Sequence, residues 1–350
     1  MPGPPPRTPG TSGGWIAVLD PATGEAFDEA PDQRPDELDG IVGRAHAAWR
    51  GWRADPAART TVLLAAADAV LTIVTGREPL GARLASHPGI RHVTFTGSVP
   101  TGRAVARAAT ASLAPVTLEL GGNDAAILLD DVEVERIADR LFWAAFRNCG
   151  QVCMAVKRLY APARLYSQVV EALAGRAKSA VVGPGLGPGS QLGPVGNAPQ
   201  PARVEHYTAR ALAAGARAVT GGHRLDRPGY FFAPTILADV PPDSPVVTQE
   251  QFGPVLPVLP YVSLDAAIEA ANDSGFGLGG SVWGTDPDRA EAVAGRLECG
   301  MVWINHHAET SLAQPFAGIK DSGVGVAGGP WGLYGNLSPF VVHRPVEVRG

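Results

Sequence analysis

The chain has 350 residues, 45% of them apolar, with 29 basic against 34 acidic side chains and a formal net charge of −5. That length allows two domains with sizeable cores, and an acidic balance without any basic run argues against a nucleic-acid partner or an anionic membrane surface. No apolar run approaches the ~18 residues of a membrane span, and Met1 to Gly14, rich in Pro and Gly without an apolar core, reads as a disordered tail rather than a signal peptide.

Residues 15–27 read as a strand, a Pro-Gly turn and a second strand. Asp36 to Trp49 and Ala57 to Val70 have the apolar spacing of helices and are rich in alanine. Leu71-Thr72-Ile73-Val74 then has the β-branched profile of a buried strand. It abuts the preceding helix with no Gly, Pro, Asn or Asp between Ala69 and Leu71, where a connection normally needs turn residues. The junction looks like a splice.

Beyond it, a helix is expected over Glu78 to Ser86, a strand over His92 to Phe95, a helix over Gly102 to Ala111 and a strand over Val116 to Leu120. The alternation resumes from Asp131, with helices near 133–148, 166–178, 200–214, 264–273 and 286–297. The matching strands fall near 157–161, 217–220, 255–261, 278–283 and 301–304. Strand–helix alternation of this kind is the pattern of a parallel α/β fold. The glycine-rich stretch Gly183 to Gly189 fits neither G-x-G-x-x-G nor a P-loop and reads as a surface loop.

Two strings carry chemistry. L-E-L-G-G-N-D sets Glu119 at the end of an apolar strand, before Gly121-Gly122, and G-Q-V-C ends at Cys153, thirty-four residues later (153 − 119 = 34). A lone cysteine near a helix is more often a small buried hydrophobe than a nucleophile. Here Gly150 permits a tight backbone approach, and the Cys153 amide can face a developing oxyanion. A carboxylate leaving a buried strand can either cap the next turn or have its pKa raised into the range of a general base. A thiol and a carboxylate together suffice to build a thioester and let water break it.

Cys149, four residues before Cys153, is taken as structural. With Cys299 the chain has three cysteines, too few for a disulfide framework, so a reduced, cytoplasmic setting is expected. His306-His307 lines a substrate entrance or is solvated on a loop, and no metal-ligand spacing is present.

L-E-L-G-G-N-D and G-Q-V-C at this spacing resemble the aldehyde dehydrogenase superfamily. F-T-G-S (Phe95–Ser98), E-Q-F-G-P-V (Glu250–Val255), A-N-D-S (Ala271–Ser274), W-I-N (Trp303–Asn305) and P-F-A-G-I-K-D-S-G (Pro315–Gly323) follow in the family's order. The resemblance implies an α/β, aldehyde dehydrogenase-like fold: a Rossmann-like dinucleotide-binding domain, here truncated, and an α/β catalytic domain with a parallel sheet. It implies that Cys153, as thiolate, attacks an aldehyde, that hydride passes to NAD or NADP, and that Glu119 activates the water that releases the acid. Glu250 matches the residue that holds the nicotinamide ribose, Phe252 the aromatic beside the nicotinamide, and Gly97-Ser98 the pyrophosphate site. Leu120 belongs to the same cofactor-binding set. T-G-S before a helix, taken alone, is more often a simple cap.

The sequence departs from the family at residues 70–72, where on the order of 140 residues, the size of a small domain, are missing. In the family they carry an oxyanion-donating asparagine, the lysine on the adenosine ribose, the acidic selector of NAD over NADP and the first two strands of the dinucleotide sheet. Loss of one oxyanion donor costs about 10²–10³ in rate. The implied organisation is a tail (1–14), a remnant of the cofactor-binding domain (15–120), a catalytic domain (121–311) and a return segment with an oligomerisation strand (312–350, its strand over Val341 to Val348). Cofactor binding is expected to be weak, and a homo-dimer is implied. Two rival readings are a cofactor-independent thiol esterase using Cys153 and Glu119, and a non-catalytic oligomerisation partner.

Overall fold

The computed structural model describes residues 14–54 and 71–344. The helix expected over Ala57 to Val70, the tail up to residue 13 and residues 345–350 lie outside the described residues.

A hairpin opens the fold: β1 (Trp15–Leu19) pairs antiparallel with β2 (Ala26–Pro31), and α1 (Leu38–Ala54) follows. The short α2 (Leu80–Ala85) packs with α1 through Leu38, Ile41 and Leu80. Next come β3 (Val93–Thr96), α3 (Val99–Ala109) and β4 (Val116–Glu119). β3 and β4 are parallel, and β14 (Gly323–Val324) closes this three-stranded sheet antiparallel to β4.

The larger sheet has seven strands. They are β5 (Asp124–Leu128), β6 (Val156–Pro162), β7 (Arg217–Thr220), β8 (Thr235–Ala238), β9 (Val255–Tyr261), β11 (Gly279–Trp283) and β12 (Met301–Ile304). Their spatial order is β12-β11-β5-β6-β9-β8-β7, and every pair is parallel except β7 with β8 at the edge. A small antiparallel pair, β10 (Phe276–Gly277) with β13 (Ile319–Lys320), stands apart.

Helices cover both faces of the large sheet. α4 (Val134–Phe146) and α5 (Tyr166–Ser179) lie on one face. α6 (Pro199–Ala213), α8 (Leu264–Asn272) and α9 (Pro287–Ala294) lie on the other, with the single-turn α7 (Pro245–Thr248) and α10 (Gly329–Gly335) completing the count. Side chains on a strand alternate between faces, and here they do so visibly. Ala126 and Leu128 enter the α4/α5 core, whereas Ala125 and Ile127 enter the opposite core. Leu256 and Val258 against Val255 and Leu259 divide in the same way along β9. A strand buried on both sides reads as a continuous apolar run, as a parallel sheet under two helix layers requires.

Three expectations need correction. Leu71–Val74 is not a strand: the backbone from 71 to 77 is irregular, and Leu71 and Ile73 are 61% and 76% exposed. Among the described residues the segment joins no sheet; it is tied to the end of β2 by Thr75, whose amide donates to Gln33 Oε1 (2.8 Å) and whose hydroxyl donates to the Pro31 carbonyl (2.6 Å). Residues 341–344 form no strand either, and Val341 and Val342 are exposed; the rest of the expected Val341–Val348 strand lies outside the described residues. Finally, β5 and β8 are strands for which no expectation was formed, and β5 is central to the large sheet.

Among the described residues, no helix is long and apolar enough to cross a membrane.

Candidate active site

β4 ends at Glu119, and the chain crosses to β5 of the large sheet through Leu120-Gly121-Gly122-Asn123. Ladder bonds fix the exit. The Gly97 amide donates to the Glu119 carbonyl (3.1 Å), the Leu120 amide to the Ser322 carbonyl (2.9 Å), and the Ser322 hydroxyl to the Gly121 carbonyl (2.8 Å). The Glu119 side chain is 8% exposed, and neither carboxylate oxygen has a hydrogen-bond partner. Burial therefore pushes its pKa up to about 7; the Ala327 backbone opposes the shift weakly, without a hydrogen bond of acceptable geometry.

The two glycines of the crossing are closely packed, Gly122 against backbone and Gly121 against the end of a flexible side chain. A Cβ on Gly121 would run into the Glu250 carboxylate, and one on Gly122 into the Cys153 carbonyl oxygen and Asp124 Oδ1. The crossing is thus a bare backbone between the two other residues singled out by the sequence. Glu119, Cys153 and Glu250 gather around four residues of chain, although the Glu119 carboxylate makes no hydrogen bond to the thiol.

Cys153 lies in a turn between α4 and β6 and is half-buried. The turn is preceded by three successive left-handed residues, Asn148 (φ 52°), Cys149 (φ 58°) and Gly150 (φ 69°), a conformation unusual for the first two. Burial pushes the Cys153 thiol up to about 11, and the charges of Asp124 and Glu250 add to the shift, while the Met154 and Cys153 amides act against it. The resemblance casts Cys153 as a thiolate, but these surroundings keep it a thiol at neutral pH, because negative charge on sulfur would sit among acids in a dry site. Cys149 is fully buried, as a structural cysteine should be.

His307 proves to be neither an entrance residue nor solvated. Its side chain is buried, with Nε2 2.7 Å from the Met154 carbonyl and 3.5 Å from Asp124 Oδ2. A carbonyl can only accept, so Nε2 carries the hydrogen. Asp124 Oδ1 accepts the Gly279 amide (3.1 Å). His306 instead borders a surface hollow of about 1140 Å³ with Trp303 and Phe316.

Glu250 is held by its backbone carbonyl, which accepts Arg203 Nη2 (2.6 Å), while its carboxylate faces Gly121 and the Gly122 amide. Burial raises it to about 7, partly offset by the positive charges of Lys157 and Arg203. Phe252 takes a left-handed φ of 49°, and its carbonyl accepts Gln200 Nε2 (2.7 Å). On the other side of the crossing, Ser98 caps α3, with Oγ accepting the Thr101 amide (3.4 Å). Gly97 lies against the Phe95 ring, and buried Leu120 packs on Gly102 of α3.

Sequence reasoning missed Lys157. Its side chain is fully buried on β6, and its ammonium donates to the Gly150 carbonyl (2.5 Å) and the Gly253 carbonyl (3.0 Å). Desolvation lowers its pKa to about 8, so it still carries charge at neutral pH. The signal was present, as a lysine inside an otherwise strand-like run in a chain with only three.

Comparisons place these residues in context. Residues 68–338 match the family model described as the aldehyde dehydrogenase family. Geranial dehydrogenase of Castellaniella defragrans is 43% identical over 263 residues, covering 75% of this chain and 54% of that protein. The structure of betaine aldehyde dehydrogenase from Staphylococcus aureus in complex with NAD+ is similar at 33% identity and a TM-score of 0.72, over 74% of this chain and 52% of the other. Lactaldehyde dehydrogenase from Escherichia coli gives a TM-score of 0.86 at 26% identity, over 92% of this chain and 94% of the other. The chain spans about half the length of the curated relatives it matches.

The raised pKa of Glu119 has a consequence for stability. Above pH 4.5 the unfolded chain ionises this carboxyl while the folded chain keeps the proton until about pH 7, so the folded state loses ground across that window. Glu119→Gln removes this loss. Thermal melts of the two proteins should nearly coincide below pH 4.5 and diverge as pH rises to 7, with the variant melting higher; a gap that does not change with pH contradicts the burial of an unpaired carboxyl.

Proposed function

The chain belongs to the aldehyde dehydrogenase family, and on that premise we propose that Cys153 and Glu119 form an aldehyde-oxidising centre whose acyl chemistry is better equipped than its redox chemistry. The observation that carries this reading is Glu119. A buried carboxyl with two unpartnered oxygens and a pKa near neutrality is poised as a general base, and it sits on the strand exit that packs against the Cys153 backbone.

In this mechanism the Cys153 sulfur attacks the aldehyde carbon to give a thiohemiacetal. Because the thiol rests protonated, a base must take its proton as the bond forms and pass it to the carbonyl oxygen. Glu119 and Glu250 are both raised to about 7, and we give this part to Glu119, whose two oxygens are free to relay the proton and are free again afterwards. Bound NAD or NADP would supply the acceptor for the hydride that leaves this carbon, and with the hydroxyl proton released to water the adduct becomes a thioester. Glu119 then takes a proton from water, which attacks the thioester and frees the carboxylic acid and the thiol.

The residues present fit a dinucleotide in part of its length. The backbone at Gly97, Gly121 and Gly122 carries no side chain to stand in a ligand's way, and α3 offers its N-terminus at Ser98, which favours an anion. Gly97 and Ser98 would hold the pyrophosphate, Leu120 the nicotinamide face, and Glu250 and Phe252 the ribose and ring. Glu250 must first turn away from the Gly122 amide. On this reading residues 15–120 are the remnant of the cofactor-binding domain, 121–311 the catalytic domain, and 312–350 the return and oligomerisation segment. Exposed Phe340, Val341 and Val342 there are the surface a homo-dimer would cover. Three free cysteines suit a reduced, cytoplasmic setting.

A second reading, cofactor-independent ester hydrolysis, is favoured by a specific contrast. Both acyl-transfer residues are in place, whereas the cofactor side has only a three-stranded sheet among the described residues.

Two measurements separate these readings. Calorimetric titration with NAD should give a Kd far weaker than the low-micromolar range, and a low-micromolar value contradicts the truncated groove. Hydrolysis of an aryl ester should vanish in Cys153→Ser and fall by about 10²–10⁴ in Glu119→Gln, the usual worth of a general base. Ester hydrolysis without NADH formation from any aldehyde favours the second reading, and activity that survives Cys153→Ser removes both.

A further inference from the structure

Two left-handed turns meet beneath the thiol. One runs through Asn148, Cys149 and Gly150 into Cys153, and the other contains Phe252 and Gly253 and follows Glu250. They touch directly, since a Cβ on Gly150 would strike the Gly253 carbonyl. Each turn also has side chains of its own. Asn148 Nδ2 donates to the Gln151 carbonyl, Gln151 Nε2 to the Asn148 carbonyl, and Gln151 Oε1 accepts the Gly196 amide. In the second turn Gln200 Nε2 donates to the Gln251 and Phe252 carbonyls, and Arg203 to the Glu250 carbonyl. Among the described residues, Lys157 is the side chain that donates to both turns, at Gly150 and Gly253.

We propose that Lys157 is a positioning residue that couples the two turns, so that the seating of the Glu250–Gly253 turn sets the reactivity of the Cys153 thiol. A fully buried ammonium is costly unless its hydrogens are used, and here two of them go to carbonyls that belong to different turns. Neither turn is a stretch of regular helix or sheet that would hold its own shape, so a shared donor fixes one relative to the other. Methionine, methyl-terminated and one atom shorter, would fill most of the space and leave both carbonyls without this donor. Movement in the second turn would then reach the first only through the contact of Gly150 with Gly253.

The proposal rests on the reading of Cys153 as the reactive thiol, but its test needs no turnover. Alkylation of Cys153 by iodoacetamide is followed in the full chain by mass spectrometry, with fragment ions distinguishing it from Cys149, across the alkaline range. A pH series separates a change in access, which scales the whole profile, from a change in thiol ionisation, which moves its midpoint.

The perturbation is Gln200→Ala, which frees the Gln251 and Phe252 carbonyls without touching the thiol turn. In the Lys157 protein it should change the Cys153 alkylation rate by at least about twofold, the lower end of the coupling expected for residues in one hydrogen-bond network. In the Lys157→Met protein the same substitution should have a clearly smaller effect, what is left passing through the contact of Gly150 with Gly253. An equal effect of Gln200→Ala in both backgrounds, or none in either, overturns the coupling. Should Lys157→Met fail to fold, the cycle is run in Lys157→Gln, which keeps N–H donors on a shorter, neutral stem. There the Gln200→Ala effect should be smaller than in the parent, and an undiminished effect overturns the proposal. Coupling found in a chain that hydrolyses no ester leaves the proposal standing and removes the catalytic reading; ester hydrolysis with uncoupled turns does the reverse.

Discussion

Everything at the candidate centre depends on a bare stretch of backbone, Gly121-Gly122, passing between two packed surfaces. The chain must leave a three-stranded sheet at Glu119 and enter a seven-stranded one at Asp124, and it does so with the Cys153 backbone on one side and the Glu250 carboxylate on the other. Any side chain at either glycine would push one of these away. Close approach of backbone to backbone is a use for which glycine alone is suited, and it explains how residues far apart in sequence come to share one small volume.

That volume is electrostatically unbalanced. Asp124 and Glu119 are buried within it and Glu250 is half-buried, and the buried ammonium of Lys157 faces Asp124 and Glu250. Two of the acids respond by holding their protons to about pH 7, and the thiol holds its own to about 11. The resting site is therefore mostly neutral, as a dry interior demands. On the proposed mechanism it would become reactive when a proton moves from sulfur to a carboxylate during attack, rather than by storing a thiolate. His307 contributes by fixing the Met154 carbonyl, and hence the turn that presents the sulfur.

Much of the fold was legible in the sequence, for identifiable reasons. Long amphipathic helices such as α4 and α5 declare themselves by spacing, and β9, rich in valine and leucine, by composition. β5 did not, because D-A-A-I-L has two alanines and follows two glycines, and its burial comes from helices on both faces rather than from intrinsic preference. Leu71–Val74 failed in the opposite sense: its composition is that of a buried strand, but a strand exists only when neighbours accept its backbone bonds, and these are lacking. At the site, Glu119 and Cys153 were readable because glycines flank them, and Glu250 through the family resemblance of E-Q-F-G-P-V. Lys157 showed only as a lysine in a strand-like run, and the carbonyls of distant turns that Lys157 and His307 act on leave no pattern along the chain.

The central claim is that Cys153 accepts an acyl group and Glu119 drives its release. Intact-mass and peptide analysis of the chain quenched during turnover of an aryl ester addresses it directly. In Glu119→Gln one acyl group should accumulate on the peptide containing Cys153, whereas the parent protein should carry little of it. Equal acylation of the two proteins, or acyl groups bound only elsewhere, would contradict the claim.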